Sequence, residues 1–257
     1  MGELVLVERR SDGVAVVTLN NPKVNALSQA VLAELRAAAE DLITDPPGAV
    51  VITGGERIFA AGADISEFGD AERGRQITAG FHAALNMVAK IPRFVVAAVS
   101  GYALGGGCEL ALACDYRVVG ERAVFGQPEV LLGLLPGGGG SQRLPRLIGP
   151  SKAKEMMITG RQVKAEEAVR LGLADELVSS ETLHERSFAL AAEAARGALQ
   201  AQAMIKRAVD AGLDESLADA LKLERDLFEA VFNTCDSQVG VKSFLEHGPG
   251  RAEFTGT

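Results

Sequence analysis

Two short runs, Ala49–Thr53 (AVVIT) and Phe94–Val99 (FVVAAV), carry almost no polar side chain. A strand with one wet face alternates apolar and polar residues, so runs like these fit strands covered on both faces. A glycine-rich loop follows each of them, and residues 71–90 between them read as a helix. Strand, loop and helix alternate in this way through about the first two-thirds of the chain, which predicts an α/β fold.

The other elements are placed around this frame. Residues 4–9 and 14–20 read as two strands around the turn Ser11-Asp12-Gly13. Ser28 is placed to cap a helix whose apolar positions Val31, Leu32, Leu35, Ala39, Leu42 and Ile43 recur at helical spacing, with Pro46-Pro47-Gly48 ending it. Residues 116–119 and 123–125 read as short strands, 133–140 as a loop, and 142–148 as the start of a helix. From Ser151 onward the pattern is mostly helical. Leu217, Leu221, Phe228, Val231 and Phe232 mark the apolar face of a helix of roughly 18 residues. This divides the chain into a core, residues 1–195, and a helical region, residues 196–257, suited to closing the core or joining subunits.

Composition narrows the function. The chain has 257 residues, 47% hydrophobic and 23% charged, enough for a sizeable core. Its net charge of −8 and the lack of any basic block argue against nucleic acid as a partner. The N-terminus reads neither as a leader nor as a membrane span. Cys108, Cys114 and Cys235 show no CxxC spacing, which fits thiols that are mostly packing in a reducing, cytoplasmic setting. His82, His184 and His247 lack ligand spacing, so no metal is expected.

The chemistry concentrates at three glycine-bearing segments. In Gly101-Tyr102-Ala103-Leu104-Gly105-Gly106-Gly107-Cys108-Glu109 a carboxylate follows a triple glycine and is then surrounded by apolar residues. If residues 107–113 are helical, the free N–H groups of the first turn favour negative charge on a bound oxygen. Burial among apolar neighbours should raise the Glu109 pKa, which suits proton transfer. Phe125-Gly126-Gln127-Pro128-Glu129 brings a second acid in an apolar setting. Phe59-Ala60-Ala61-Gly62-Ala63-Asp64-Ile65 offers the N–H of Ala63 as an oxyanion donor, although the same residues fit a plain strand-to-helix turn capped by Asp64. Two familiar motifs fail at Gly137-Gly138-Gly139-Gly140-Ser141. Arg143 stands where GxSxG needs its last glycine, and Gln142 where GxGxxG needs its own.

Taken in order, residues 59–65, 101–115 and 125–142, with Asn25-Ala26-Leu27, resemble the enoyl-CoA hydratase/isomerase (crotonase) superfamily. The resemblance spans essentially the whole chain. It implies a crotonase-like spiral of β-β-α repeats followed by a helical C-terminal region, assembled as homotrimers or hexamers. It also implies an acyl-CoA thioester substrate, with coenzyme A as part of that substrate and no separate cofactor. The family's oxyanion hole falls on the N–H groups of Ala63 and Gly106, and its hydratase acids on Glu109 and Glu129. Coenzyme A contacts fall on Lys23, Val24, Ala26, Ala61, Asp64 and Ile65. Phe244 is placed to reach a neighbouring subunit's adenine, with His247 standing where many relatives carry lysine.

The activity this resemblance implies is reversible hydration of trans-2-enoyl-CoA to 3-hydroxyacyl-CoA, a lyase reaction of fatty-acid or related acyl-CoA metabolism such as β-oxidation. A Δ3,Δ2-enoyl-CoA isomerase, the nearest rival, needs one carboxylate and often keeps only the acid at Glu129. Glu109 therefore favours hydration. Dehalogenases, decarboxylases and hydrolases of the superfamily remain alternatives. A non-catalytic acyl-CoA-binding scaffold is disfavoured by the intact acids, and an RNA-associated scaffold by the acidic balance.

Overall fold

The strands that carry the core are buried along nearly their whole length. A computed structural model describes residues 2–257. Its main sheet has six strands in the order β1 (Val5–Arg9), β2 (Val14–Leu19), β3 (Ala49–Thr53), β4 (Phe94–Val99), β6 (Tyr116–Gly120) and β9 (Glu176–Val178). The first pair is an antiparallel hairpin and every later pair is parallel. All five residues of β3 are buried, because α1 (Gln29–Thr44) and α2 (Ala71–Ala89) lie to one side and α7 (Leu183–Ala195) packs on the other.

A second, smaller sheet makes the spiral. It contains β5 (Tyr102–Leu104), β7 (Val124–Gly126) and β8 (Gln162–Lys164), and single parallel bridges Leu27 to Ala63 and Ala60 to Ala103 extend it. After each of β2, β3, β4 and β6 the chain thus crosses into this sheet, near Leu27, near Ala60, and as β5 and β7. A helix then follows: α1, α2, α3 (Gly106–Leu112) and α4 (Gly140–Ile148). Four successive strand–strand–helix turns stack in register, which is the β-β-α spiral the resemblance implied.

Local chemistry explains the helix starts. The Ser28 hydroxyl accepts from the Val31 N–H at 3.3 Å and caps α1, whose Val31, Leu32, Leu35, Ala39 and Leu42 are buried. Each buried leucine contributes roughly 1.5–3 kcal/mol. Asp70 caps α2 by accepting from the Arg73 N–H at 3.0 Å. Cys108 and Cys114 are buried with their thiols pushed up by burial, Cys114 to about 12, as suits packing side chains.

The sequence pattern differs from the structure in several places. Gly140 already belongs to α4, and residues 102–104 form a strand within the stretch read as a glycine segment. Beyond Ser151 the chain is not all helix. Helices α5 (Pro150–Thr159) and α6 (Ala165–Leu171) are interleaved with β8 and β9, three residues each and too short for a period of two to show. Helices α8 (Leu199–Gly212), α9 (Leu217–Val231) and α10 (Cys235–His247) follow α7 after a three-residue link. Among the described residues, no helix is long and apolar enough to cross a membrane.

Candidate active site

Glu109 sits in the first turn of α3 and is only 2% exposed. Its Oε1 accepts two backbone N–H groups, from Gly138 in the glycine loop ahead of α4 at 2.8 Å and from Gly140, the first residue of α4, at 2.7 Å. Burial pushes its carboxyl above the usual range. The two amides oppose that push, followed by the charges of Arg143 and His82. The loop leaves no room for a side chain: a Cβ on Gly138 would overlap Glu109 Oε2. Arg143 braces the same loop, donating from Nη1 to Gly138 O at 3.2 Å and from Nη2 to Asn86 Oδ1 at 2.7 Å.

Glu129 starts a short 3₁₀ turn, Glu129–Leu132, directly after β7. It faces the start of α3, since a Cβ on Gly105 would stand 2.9 Å from Glu129 Oε1. Desolvation by burial lifts its pKa to about 7, with the charge of Glu109 adding to the rise. With its amide nitrogen turned toward Glu129, buried Gln127 donates to Oε1 at 3.0 Å and Oε2 at 3.2 Å. The spiral thus brings together two acids from successive turns, each held by neutral donors.

Beside them lie two free donors. The N–H groups of Ala63 and Gly106 have no protein acceptor among the described residues. They lie close to each other, for a Cβ on Gly106 would stand 3.5 Å from Ala63 N and 2.5 Å from Phe81 Cε1. Ala63 projects from the loop after β3, and Gly106 opens α3, so the helix dipole adds to the donor there. Asp64 does what the plainer reading proposed. Its Oδ1 accepts from the Ser66 N–H at 3.0 Å and caps the turn Ile65–Glu67.

Lys23, Val24, Ala26, Ala61 and Ile65 gather along one edge. Ala61 N–H donates to Val24 O at 3.0 Å and Leu27 N–H to Gly62 O at 2.8 Å, which lays residues 24–27 alongside 61–64. Lys23, Val24 and Ile65 are exposed there. Phe244 is instead exposed on α10, in the C-terminal helices.

The motif reading gave no site role to Gln127, Arg143 or Phe81. Gln127 lies within a glycine-bearing segment and Arg143 two residues beyond the Gly137–Ser141 run, but only the folded loop shows what they touch. A groove of about 1210 Å³ runs between the spiral and the C-terminal helices, lined by Asp115, Arg143, Arg146, Lys206 and Asp214 among others. Its lining does not include the two acids or the two free donors. Among the described residues, no three His, Cys, Asp or Glu side chains converge as a metal site requires.

The fold sets two acids in largely apolar surroundings beside backbone N–H groups that have no protein acceptor, an arrangement suited to acid/base chemistry. Residues 9–256 match the enoyl-CoA hydratase/isomerase family, and the chain belongs to it. It is 44% identical over 246 residues to a probable enoyl-CoA hydratase of Mycobacterium tuberculosis, covering 95% of each chain. It is 40% identical over 248 residues to the mitochondrial enoyl-CoA hydratase of Pongo abelii, covering 95% of this chain and 86% of that one. The crystal structure of an enoyl-CoA hydratase from Bacillus anthracis superposes with a TM-score of 0.93 at 35% identity, over 99% of this chain and all of that one.

Proposed function

We propose that the protein is an enoyl-CoA hydratase, adding water reversibly across the double bond of a trans-2-enoyl-CoA. The observation that carries the reading is the pairing of Glu109, buried and held by two amides, with Glu129 beside the free N–H groups of Ala63 and Gly106. Its relatives named enoyl-CoA hydratase support the same reaction.

In this mechanism the thioester oxygen accepts from the N–H groups of Ala63 and Gly106. Glu109, its Oε1 engaged by Gly138 and Gly140, takes a proton from water as the water oxygen bonds to Cβ. The displaced π electrons move through Cα toward the thioester oxygen as an enolate. Glu129, whose pKa near 7 keeps a proton available, delivers it to Cα. Dehydration runs the same transfers backward. Each oxyanion donor is worth roughly 3 kcal/mol of barrier. Coenzyme A enters with the substrate, and the thioester's own activation of Cα and Cβ leaves no step for a separate cofactor.

The edge formed by Lys23, Val24, Ala26, Ala61, Asp64 and Ile65 grips the coenzyme A moiety in this reading, and Phe244 reaches the adenine of a neighbouring copy. The protein works in the cytoplasm as a homotrimer or hexamer. Exposed Leu131, Leu135, Phe228, Phe232 and Leu245 support association, since large apolar side chains in such number favour burial between copies. A single sedimenting monomer would refute the assembly.

The test is crotonyl-CoA, followed by loss of its enoyl absorbance. Turnover to 3-hydroxybutyryl-CoA is expected. Tight acyl-CoA binding with no turnover at any chain length would refute the hydratase reading. An isomerase needs one acid, and the two amides that anchor Glu109 in position for water favour hydration over it.

A further inference from the structure

Asn25 lies on none of the catalytic segments, yet its side chain is knotted into one of them. Its Nδ2 stands 2.9 Å from Gly54 O, 3.1 Å from Ile58 O and 3.2 Å from Phe59 O. An amide has two protons, so three carbonyls share them. Its Oδ1 accepts the Asn21 N–H at 3.1 Å, and its own N–H donates to Asn21 O at 3.0 Å. The backbone of Asn25 is left-handed, with φ of 50°, and Lys23 two residues earlier has φ of 78°. They are the only positive-φ non-glycine residues among those described. Asparagine tolerates this conformation far better than most residues, while lysine does not favour it.

These contacts meet at the loop that presents the Ala63 donor. The side chain of Asn25 pins the start of the loop at Gly54, Ile58 and Phe59. On either side of Asn25, Val24 O accepts from Ala61 N–H at 3.0 Å, Leu27 N–H donates to Gly62 O at 2.8 Å, and Leu27 O accepts from Asp64 N–H at 3.4 Å. The last two bonds bracket Ala63, leaving its own N–H free and aimed. The far side of the loop is fastened to residues 100–104 ahead of α3 through Phe59 N–H to Ser100 O at 2.7 Å and Leu104 N–H to Ala60 O at 3.1 Å. The aim of one oxyanion donor is thus set from the segment that carries Lys23, Val24 and Ala26.

We infer that Asn25 is a positioning residue for the oxyanion hole: it locks the loop 54–63 to the segment 23–27, so that the Ala63 N–H is held in line with the thioester oxygen. The assignment rests on the hydratase reading of the site. It acts on the transition state more than on binding, because an oxygen that gains charge during reaction responds most to donor alignment.

The test uses the full-length protein with two replacements. Asn25→Gly accepts the left-handed backbone and removes the amide. Asn25→Asp keeps the shape and the acceptor for the Asn21 N–H and replaces the donor nitrogen with an oxygen facing three carbonyls. Each is assayed with crotonyl-CoA, and by infrared difference spectroscopy of butyryl-CoA labelled with 13C at the thioester carbonyl, a saturated ester that cannot be hydrated. Both variants should lose roughly 10–100-fold in kcat with KM changed by less than about threefold. The downward shift of the bound carbonyl frequency should shrink by about half or more. A variant that keeps the full carbonyl shift, or wild-type kcat, overturns the assignment. So does failure of both variants to fold, which would make Asn25 a residue of the fold alone. A wild-type protein that shifts the carbonyl but hydrates no enoyl-CoA would refute the hydratase reading and leave the infrared comparison to decide Asn25.

Discussion

Glu109 Oε1 accepts the N–H of Gly140 at 2.7 Å, joining the first turn of α3 to the first residue of α4. Gly138 supplies a second N–H to the same oxygen at 2.8 Å. The acid therefore has one oxygen committed to the protein, which fixes the direction in which the carboxylate can take a proton.

Glu109→Gln should lower hydration by about 10²–10⁴-fold, the usual range for one general base. Exchange of the Cα proton of a saturated acyl-CoA should survive in part, because Glu129 is untouched. Following deuterium uptake beside the hydration assay separates the two. Equal loss of both activities would contradict the division of labour between the acids.

Gly138→Ala places a methyl group against Glu109 Oε2 and, at 3.0 Å, against Phe81 Cδ1. Glu109 must turn or the loop must move. The expected result is a loss of about 10²-fold in kcat, since a misplacement near 1 Å costs that much. A variant with wild-type turnover would show that the glycine loop does not set the position of the acid.

The pKa of Glu129, about 7 against an ordinary 4.5, gives a signed pH prediction. The folded state holds this proton more tightly than the unfolded chain. Stability from this group is complete below about 4.5, falls as pH rises toward 7, and is fully lost above that. Glu129→Gln should flatten this slope and raise the melting temperature at pH 8 by a few degrees, roughly 2–4 °C. In the wild type, hydration should weaken as pH climbs through about 7, where the proton donor ionises. Scanning calorimetry at pH 5 and pH 8 checks the first claim and a pH–rate profile the second. An unchanged slope in the variant would reject the assignment.

Arg117 on β6 is almost fully buried and bonded to Asp175 at 2.7 Å, to Leu173 O at 2.9 Å and to Cys114 O at 3.0 Å. Arg117→Met removes a charge that serves an acid and two carbonyls together. Breaking such a site from one side is expected to cost about 3 kcal/mol, measured by chemical denaturation. A loss under about 1 kcal/mol would place this pair with weak surface bridges.

Much of the fold was legible because its signals are local. Ser28 as a helix cap, the apolar stripe from Val31 to Leu42, and the unbroken apolar runs at Ala49–Thr53 and Phe94–Val99 each announce an element from its own residues. The short β8 and β9 did not, since three residues carry no period and their pairing depends on strands far away in the chain. The acids were legible as acids in apolar settings. Gln127, Arg143 and Asn25 were not legible in their roles, because a polar residue in a loop gains its meaning from partners such as Glu129, Gly138 and Phe59 that only the fold supplies.

By itself, then, the sequence determined the alternation of elements, the glycines that leave room at the site, and the presence of two carboxylates with an ordered family pattern around them. Tertiary structure alone decided that Glu109 and Glu129 face one space, that Gly138 and Gly140 hold the first while Gln127 holds the second, and that the N–H groups of Ala63 and Gly106 are left free beside them. The physical reason is range. Propensity and capping act over a few residues, whereas burial, hydrogen-bond direction and the pKa they set arise between turns of the spiral that the chain brings together only on folding.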